Sequence, residues 1–360
     1  MIRIQNYSDD VEENYCNKVN SILKSKGAFV LADFVDGCKS FMPVKYSSLK
    51  DEEFVKKLIK LKYREMREIL IYINHDKKIR NIYIEKVFQF QYKDKDDKDK
   101  YKYRELDSKE IELLADLVFE GKQIDKKETG VSTRNYKPKE IFESCIKVYD
   151  EFSNKKVNKF IQNKSKIKVC PYCNRDYINS REDQSSAQMD HFYNKNYFPF
   201  LAISLYNLIP TCATCNRIKS DKIEWKFVSP FDDEYLFDDE LRFEYDINKK
   251  KIKFVTQNNY KDRCLRVNIE RLKLEEAYVI HDSLIEEYVD KKSTYVDSLM
   301  DEIGATLSEW GISNPIPGKS YDKNQFIEHL YGKKIEPEEY IHTSLGKLKH
   351  DILKNIGVYD

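Results

Sequence analysis

No stretch of this 360-residue sequence stays apolar long enough to cross a bilayer. The longest candidate, Tyr197 to Pro210, is broken by Pro199, Ser204 and Asn207 and falls short of the ~20 residues a membrane helix needs. The first residues, Met1-Ile2-Arg3-Ile4-Gln5-Asn6, run straight into Asp9 and Asp10 without the basic-then-apolar order of a secretory leader. A cytosolic protein with no membrane partner is expected. Net charge is also missing. With 63 Lys and Arg against 62 Asp and Glu, the formal charge of +1 excludes a uniformly basic coat protein and a uniformly acidic one. Any nucleic-acid surface must therefore be local. No internal repeat is visible, and the chain is long enough to bury a core without disulfide staples.

What is present is a set of eight cysteines, unevenly placed. Cys16, Cys38, Cys145 and Cys264 stand singly and are expected to pack as small hydrophobes. Cys170 with Cys173 and Cys212 with Cys215 form two C-x-x-C pairs, which in a reducing compartment favours metal over disulfides. Four thiolates complete the tetrahedron of Zn²⁺ and leave no position open for catalysis, so this zinc is expected to be structural. The 38 residues between Cys173 and Cys212 exceed the usual ribbon spacing. The zinc would then clamp the two ends of an inserted element.

Residues 1–165 read as mostly helical and as a possible partner-docking region. Phe54, Val55, Leu58, Leu61, Met66, Ile69, Leu70 and Ile73 recur at three-and-four spacing, the mark of one helical face, and a second run covers Ile111 to Phe119. Between them, Tyr92 to Lys100 alternates charge and offers nothing to bury, as a solvated loop or hairpin tip does. Residues 166–230 carry the two cysteine pairs. In 231–260 an acidic stretch precedes a β-hairpin, with Leu241, Phe243, Tyr245 and Ile247 alternating before a turn at Asn248-Lys249-Lys250 and then Ile252 and Phe254, a two-residue period. In 261–360 helical periodicity resumes from Leu274, breaks at Pro315, Pro317 and Gly318, and returns near Leu345 to Leu353.

Every reactive polar group of note lies inside or beside the clamped insert. Asp190 and His191 are neighbours on a short apolar stretch, Asn207 follows 16 residues after His191, and Asn216 lies just past the second cysteine pair. Lys219 falls one turn beyond Asn216 on the same helical face. If the strand ends at this point, Asp190 can face a metal while His191 faces a water.

This constellation, Cys170-Pro171-Tyr172-Cys173, Met189-Asp190-His191-Phe192, Asn207-Leu208-Ile209-Pro210 and Cys212-Ala213-Thr214-Cys215-Asn216, resembles the HNH nucleases, whose ββα-metal core holds one divalent ion. The resemblance covers about 55 residues, Cys170 to roughly Glu224. It implies His191 as general base, Asp190 and Asn216 as ligands of a catalytic Mg²⁺ or Mn²⁺, and Asn207 as the asparagine that holds the His-bearing loop. Lys219, Arg217 and Lys222 become nucleic-acid contacts. Asn216 replaces the last His of the older lettering, an exchange that an amide oxygen permits with a hard cation. The wording around the motif is more particularly similar to PtuB-type HNH proteins, encoded beside an ABC- or SMC-like ATPase in bacterial antiphage systems of the Septu and retron kinds.

The chemistry agrees independently of the family. Phosphodiester hydrolysis needs a deprotonated water and a cation on the phosphate, and an ordinary histidine is mostly neutral at cellular pH. From Lys155 to Lys226 there are 13 basic against 6 acidic residues, while Phe227 to Asp246 holds 8 acidic against Arg242 alone. The first is a phosphate-facing footprint. The second reads as a solvated acidic loop, with a role as an internal screen over the basic core. The expected fold is α+β and predominantly helical, with a central zinc-stapled ββα-metal core, a β-hairpin and flanking helical regions. The expected function is DNA hydrolysis by an HNH endonuclease under a partner ATPase. An RNA or tRNA nuclease toxin and a non-catalytic zinc-ribbon adaptor are the alternatives.

Overall fold

The computed structural model describes residues 1–25, 31–94, 97, 100–122, 132–152, 157–179, 186–220, 225–235, 240–257, 260–309 and 323–359. Among the described residues helices dominate, with three small sheets between them. Among the described residues no helix is long and apolar enough to cross a membrane. Lys222, Pro315, Pro317, Gly318, Asp238 and Asp239 lie outside the described residues.

The long apolar period from Phe54 to Ile73 resolves into two helices, Asp51–Ile59 and Tyr63–His75. The first carries Asp51, Glu52 and Glu53 in its opening turn and Lys56 and Lys57 in its last, the polarity that suits the helix dipole. The second starts afresh because the Glu65 carboxylate accepts the Lys62 backbone N–H at 3.0 Å, satisfying a donor that a continuous helix would have used. All eight residues of the period are buried.

Strand β1 (Phe88–Lys93) lies between β2 (Tyr101–Arg104) and β3 (Tyr136–Pro138) in an antiparallel sheet ordered β2-β1-β3. In the charged run of residues 92–100, Tyr92 and Lys93 close β1, and residues 95, 96, 98 and 99 lie outside the described residues. Strands β4 (Gln188–His191) and β5 (Leu208–Thr211) pair antiparallel, with Asp190 opposite Ile209 and His191 opposite Leu208, and the helix Ala213–Lys219 follows directly. Strands β6 (Leu241–Asp246) and β7 (Lys251–Thr256) form the expected hairpin, with Leu241, Phe243 and Tyr245 inward. Ile247 falls in the turn and is exposed. The last helix is Gly346–Asn355.

One hydrophobic core runs through all four expected regions. The connection from His191 to Asn207 sits deep within it, and Phe198 to Ile203 are buried. The N-terminal helices hold this connection by hydrogen bonds from the Tyr15 hydroxyl to the Ile203 carbonyl (3.0 Å), from the Ser204 hydroxyl to the Leu58 carbonyl (2.7 Å) and from the Tyr83 hydroxyl to the Tyr197 carbonyl. From the other end, the Leu345 N–H donates to the Asn174 carbonyl at 2.7 Å and the Lys347 N–H donates to Asn174 Oδ1 at 3.0 Å. Asn174 is fully buried at a φ of 51°, a left-handed turn that asparagine tolerates better than most residues. Both flanks therefore grip the cysteine-bearing centre.

Candidate functional site

The ring of four cysteines assembles as the spacing implies. The sulfur atoms of Cys170, Cys173, Cys212 and Cys215 all lie within 4.8 Å of one another, all buried, and none is in a disulfide. Two tight knuckles build it: the Asn174 N–H donates to the Cys170 carbonyl at 2.7 Å, and the Cys215 N–H donates to Cys212 Sγ at 3.4 Å where Cys212 caps the helix Ala213–Lys219. Burial pushes the Cys170 thiol up, while hydrogen bonds from Cys170, Cys212 and Cys215 pull Cys173 down. A closed, all-sulfur donor set of this size could hold a metal such as Zn²⁺ and leaves no ligand position for substrate.

Beside it, Asp190, His191 and Asn216 line one cavity of about 300 Å³, together with Tyr149, Lys195 and Ser220. Strand β4 ends at His191, which is how two sequence neighbours come to share a cavity. His191 Nε2–H donates to the Ala202 carbonyl at 3.2 Å, which leaves Nδ1 as the nitrogen with a free lone pair. Burial, with smaller contributions from Lys195 and Lys219, lowers its pKa to about 3. The imidazole is thus neutral across the cellular range.

Asn207 is fully buried and works through its amide. Its Oδ1 accepts the Tyr193 N–H at 2.7 Å, and its Nδ2 donates to the Tyr193 and Leu201 carbonyls, both at 3.0 Å. It fastens both ends of the connection that leaves His191. Asn216 Nδ2 donates to Gln188 Oε1 at 2.8 Å, so its amide oxygen remains available to a cation.

Lys219 departs from the expected role. Its ammonium is buried, 3.0 Å from Asp190 Oδ2, and donates to the His191 and Phe192 carbonyls at 3.0 and 3.1 Å. A cation committed to three inward acceptors is not a surface contact for phosphate. The remaining Asp190 partner is the Tyr172 hydroxyl, at 2.7 Å from Oδ2. Asp190 therefore meets, as an ammonium, the positive charge that a divalent ion would bring. Arg217 is exposed on the same helix, where a phosphate contact remains open to it.

Two cavity residues have no signal in the sequence. Tyr149, from the helix Glu140–Asp150, stands edge-on to His191 with ring centroids 4.3 Å apart and donates its hydroxyl to the Met189 carbonyl at 3.2 Å. The Lys195 ammonium lies over the Tyr149 ring, 4.6 Å from its centroid, and 3.3 Å from Asp150 Oδ1. Burial and the charges of Asp190 and Asp150 push the Tyr149 hydroxyl up to about 12. It stays a neutral wall for the imidazole.

The described acids of the acidic stretch sit elsewhere. Asp233 and Glu234 pair with Arg64, and Glu234 also reaches Arg67, while Asp246 pairs with Lys253 inside the hairpin. None of these acids lines the reactive cavity. Compared with protein-family models, with curated proteins and with solved structures, the chain finds no match.

Proposed function

We propose that the chain is a metal-dependent HNH-type endonuclease that hydrolyses phosphodiester bonds in DNA. The observation that carries this reading is the convergence of Asp190, His191 and Asn216 on one cavity next to the four-cysteine cluster. Asp190 and His191 on strand β4 and Asn216 on the helix after β5 follow the order of the motif the sequence resembles. Asp190 and Asn216 offer only oxygen donors, which suits a hard divalent cation. Bound there, Mg²⁺ or Mn²⁺ would neutralise charge on the phosphate and its leaving oxygen.

The chain's own residues divide the remaining work. His191 takes the proton of the attacking water at Nδ1, because Nε2–H is spent on Ala202. An approaching phosphate favours the charged imidazolium and raises the low basicity that burial imposes. Asn207 and Tyr149 keep the ring in place, and the cysteine cluster fixes the start of the helix that carries Asn216. An ATPase partner that restrains the nuclease until an intruder is sensed belongs to the same proposal and is carried by the resemblance alone.

The test is cleavage of plasmid DNA and of total RNA by zinc-loaded protein with Mg²⁺ or Mn²⁺, alone and co-expressed with an ATPase encoded beside it. DNA cutting that His191→Ala abolishes supports the reading. Cutting confined to RNA moves the chain to the toxin alternative, and wild-type cutting by His191→Ala ends the proposed mechanism.

A further inference from the structure

A second cavity, of about 250 Å³, shares Asn194 and Asn196 with the reactive one. Its other walls come from the N-terminal region and from the His-bearing connection: Tyr136 and Lys137 of β3, Arg134 just before it, Leu117, and Tyr197. Arg134 and Lys137 are exposed, and neither has an acidic partner among the described residues. Their neighbours behave differently, since Arg104 is paired with Glu110 and Lys139 with Glu105. Tyr136 is 7% exposed and stands edge-on to Phe90, and with Phe88 and Tyr197 it supplies the aromatic part of the wall.

Two exposed cations beside aromatic walls are the elements that bind a nucleotide: charge for the phosphate and ring face for the base. The volume lies below the roughly 300–1,000 Å³ of sites for drug-sized molecules, which suits one base and excludes a duplex. Resting on the nuclease reading, we propose that this cavity is a subsite for one unstacked nucleotide flanking the scissile phosphate. Arg134 and Lys137 take its phosphate, and the aromatic walls take its base. The enzyme then prefers single-stranded or locally opened DNA, where unstacking costs least.

The test uses the full zinc-loaded chain in the His191→Ala background, so that binding is read without cleavage. Labelled single-stranded and duplex oligonucleotides are titrated by fluorescence anisotropy over a range of salt. The single strand is expected to bind more tightly. Adding Arg134→Ala and Lys137→Ala is expected to weaken it about tenfold at low salt and to flatten the plot of log affinity against log salt by about 1.4, two contacts on a single strand. Unchanged affinity and salt slope in the double variant overturn the subsite, whatever the wild type cleaves. Weakened binding in the double variant with no cleavage by the wild type, alone or with the co-expressed ATPase, keeps the subsite and removes the nuclease reading. Failure of the parent chain to bind either oligonucleotide overturns both.

Discussion

Two buried lysine–aspartate pairs flank the cysteine cluster, and they are built to different ends. Lys347 and Asp351 lie one turn apart on the same helix, 3.0 Å from each other, and Asp351 also accepts the Phe243 N–H at 3.0 Å. Their side chains are 0% and 6% exposed, and burial pushes the Asp351 carboxyl up despite the neighbouring ammonium. Lys219 and Asp190 come instead from a helix and a strand, and Asp190 lines the reactive cavity. One pair ties the last helix to the hairpin. The other holds a positive charge at the place where a catalytic cation would be needed.

The largest expected effect removes the support common to both pairs. Asn174, directly after Cys173, holds the Lys347 backbone, and Cys212 caps the helix that ends at Lys219. Zinc binding at such sites is itself folding free energy, about 10–16 kcal/mol in small zinc peptides. Chelation or Cys212→Ser should therefore abolish the cooperative thermal transition, with zinc content measured alongside; well-folded protein free of zinc contradicts the assignment.

The next effects separate the pairs. Lys347→Met and Lys219→Met each strand a buried carboxylate and should cost about 3–5 kcal/mol in the absence of divalent ions. Mn²⁺ should restore much of the loss in Lys219→Met, because the ion takes over the charge opposite Asp190, by up to about 2.7 kcal/mol at a hundredfold excess over its dissociation constant. It should restore nothing in Lys347→Met. Equal responses of the two variants in melts with and without Mn²⁺ would erase the distinction. His191→Ala, by contrast, should lower cleavage about 10²- to 10⁴-fold while zinc content and oligonucleotide binding hold.

How far the sequence discloses this arrangement depends on how local each signal is. The buried stripe from Phe54 to Ile73 and the alternation of Leu241, Phe243 and Tyr245 are periodic within a few residues and carry through to the structure. The cysteine pairs are equally plain, since metal chemistry restricts their spacing. Strand β3 is another matter: three residues that pair with β1 from 46 to 50 positions away leave no alternation long enough to notice. Tyr149 reads as one more apolar residue of an amphipathic helix, and only the folded chain brings it to His191. Lys219 fails for a different reason. Helical spacing places it one turn beyond Asn216 but cannot say that a buried carboxylate will draw its ammonium inward.

The smallest effect concerns the acidic stretch, which by composition alone reads as a screen over the basic core. Asp233 and Glu234 reach Arg64 and Arg67 through side chains that are 36–50% exposed. Ion pairs at such exposure are worth about 0–1 kcal/mol. Neither acid borders the cavity that holds His191, so neither can exclude phosphate by contact, and their field at a distance is neutralised by the arginines they already face. Asp233→Asn with Glu234→Gln should accordingly shift the melting temperature by a few degrees at most and leave the cleavage rate unchanged even at low salt, where surface charge acts furthest. A rise in basal cleavage that disappears as salt is added would restore the screen and show that charges on Arg64 and Arg67 do not discharge it.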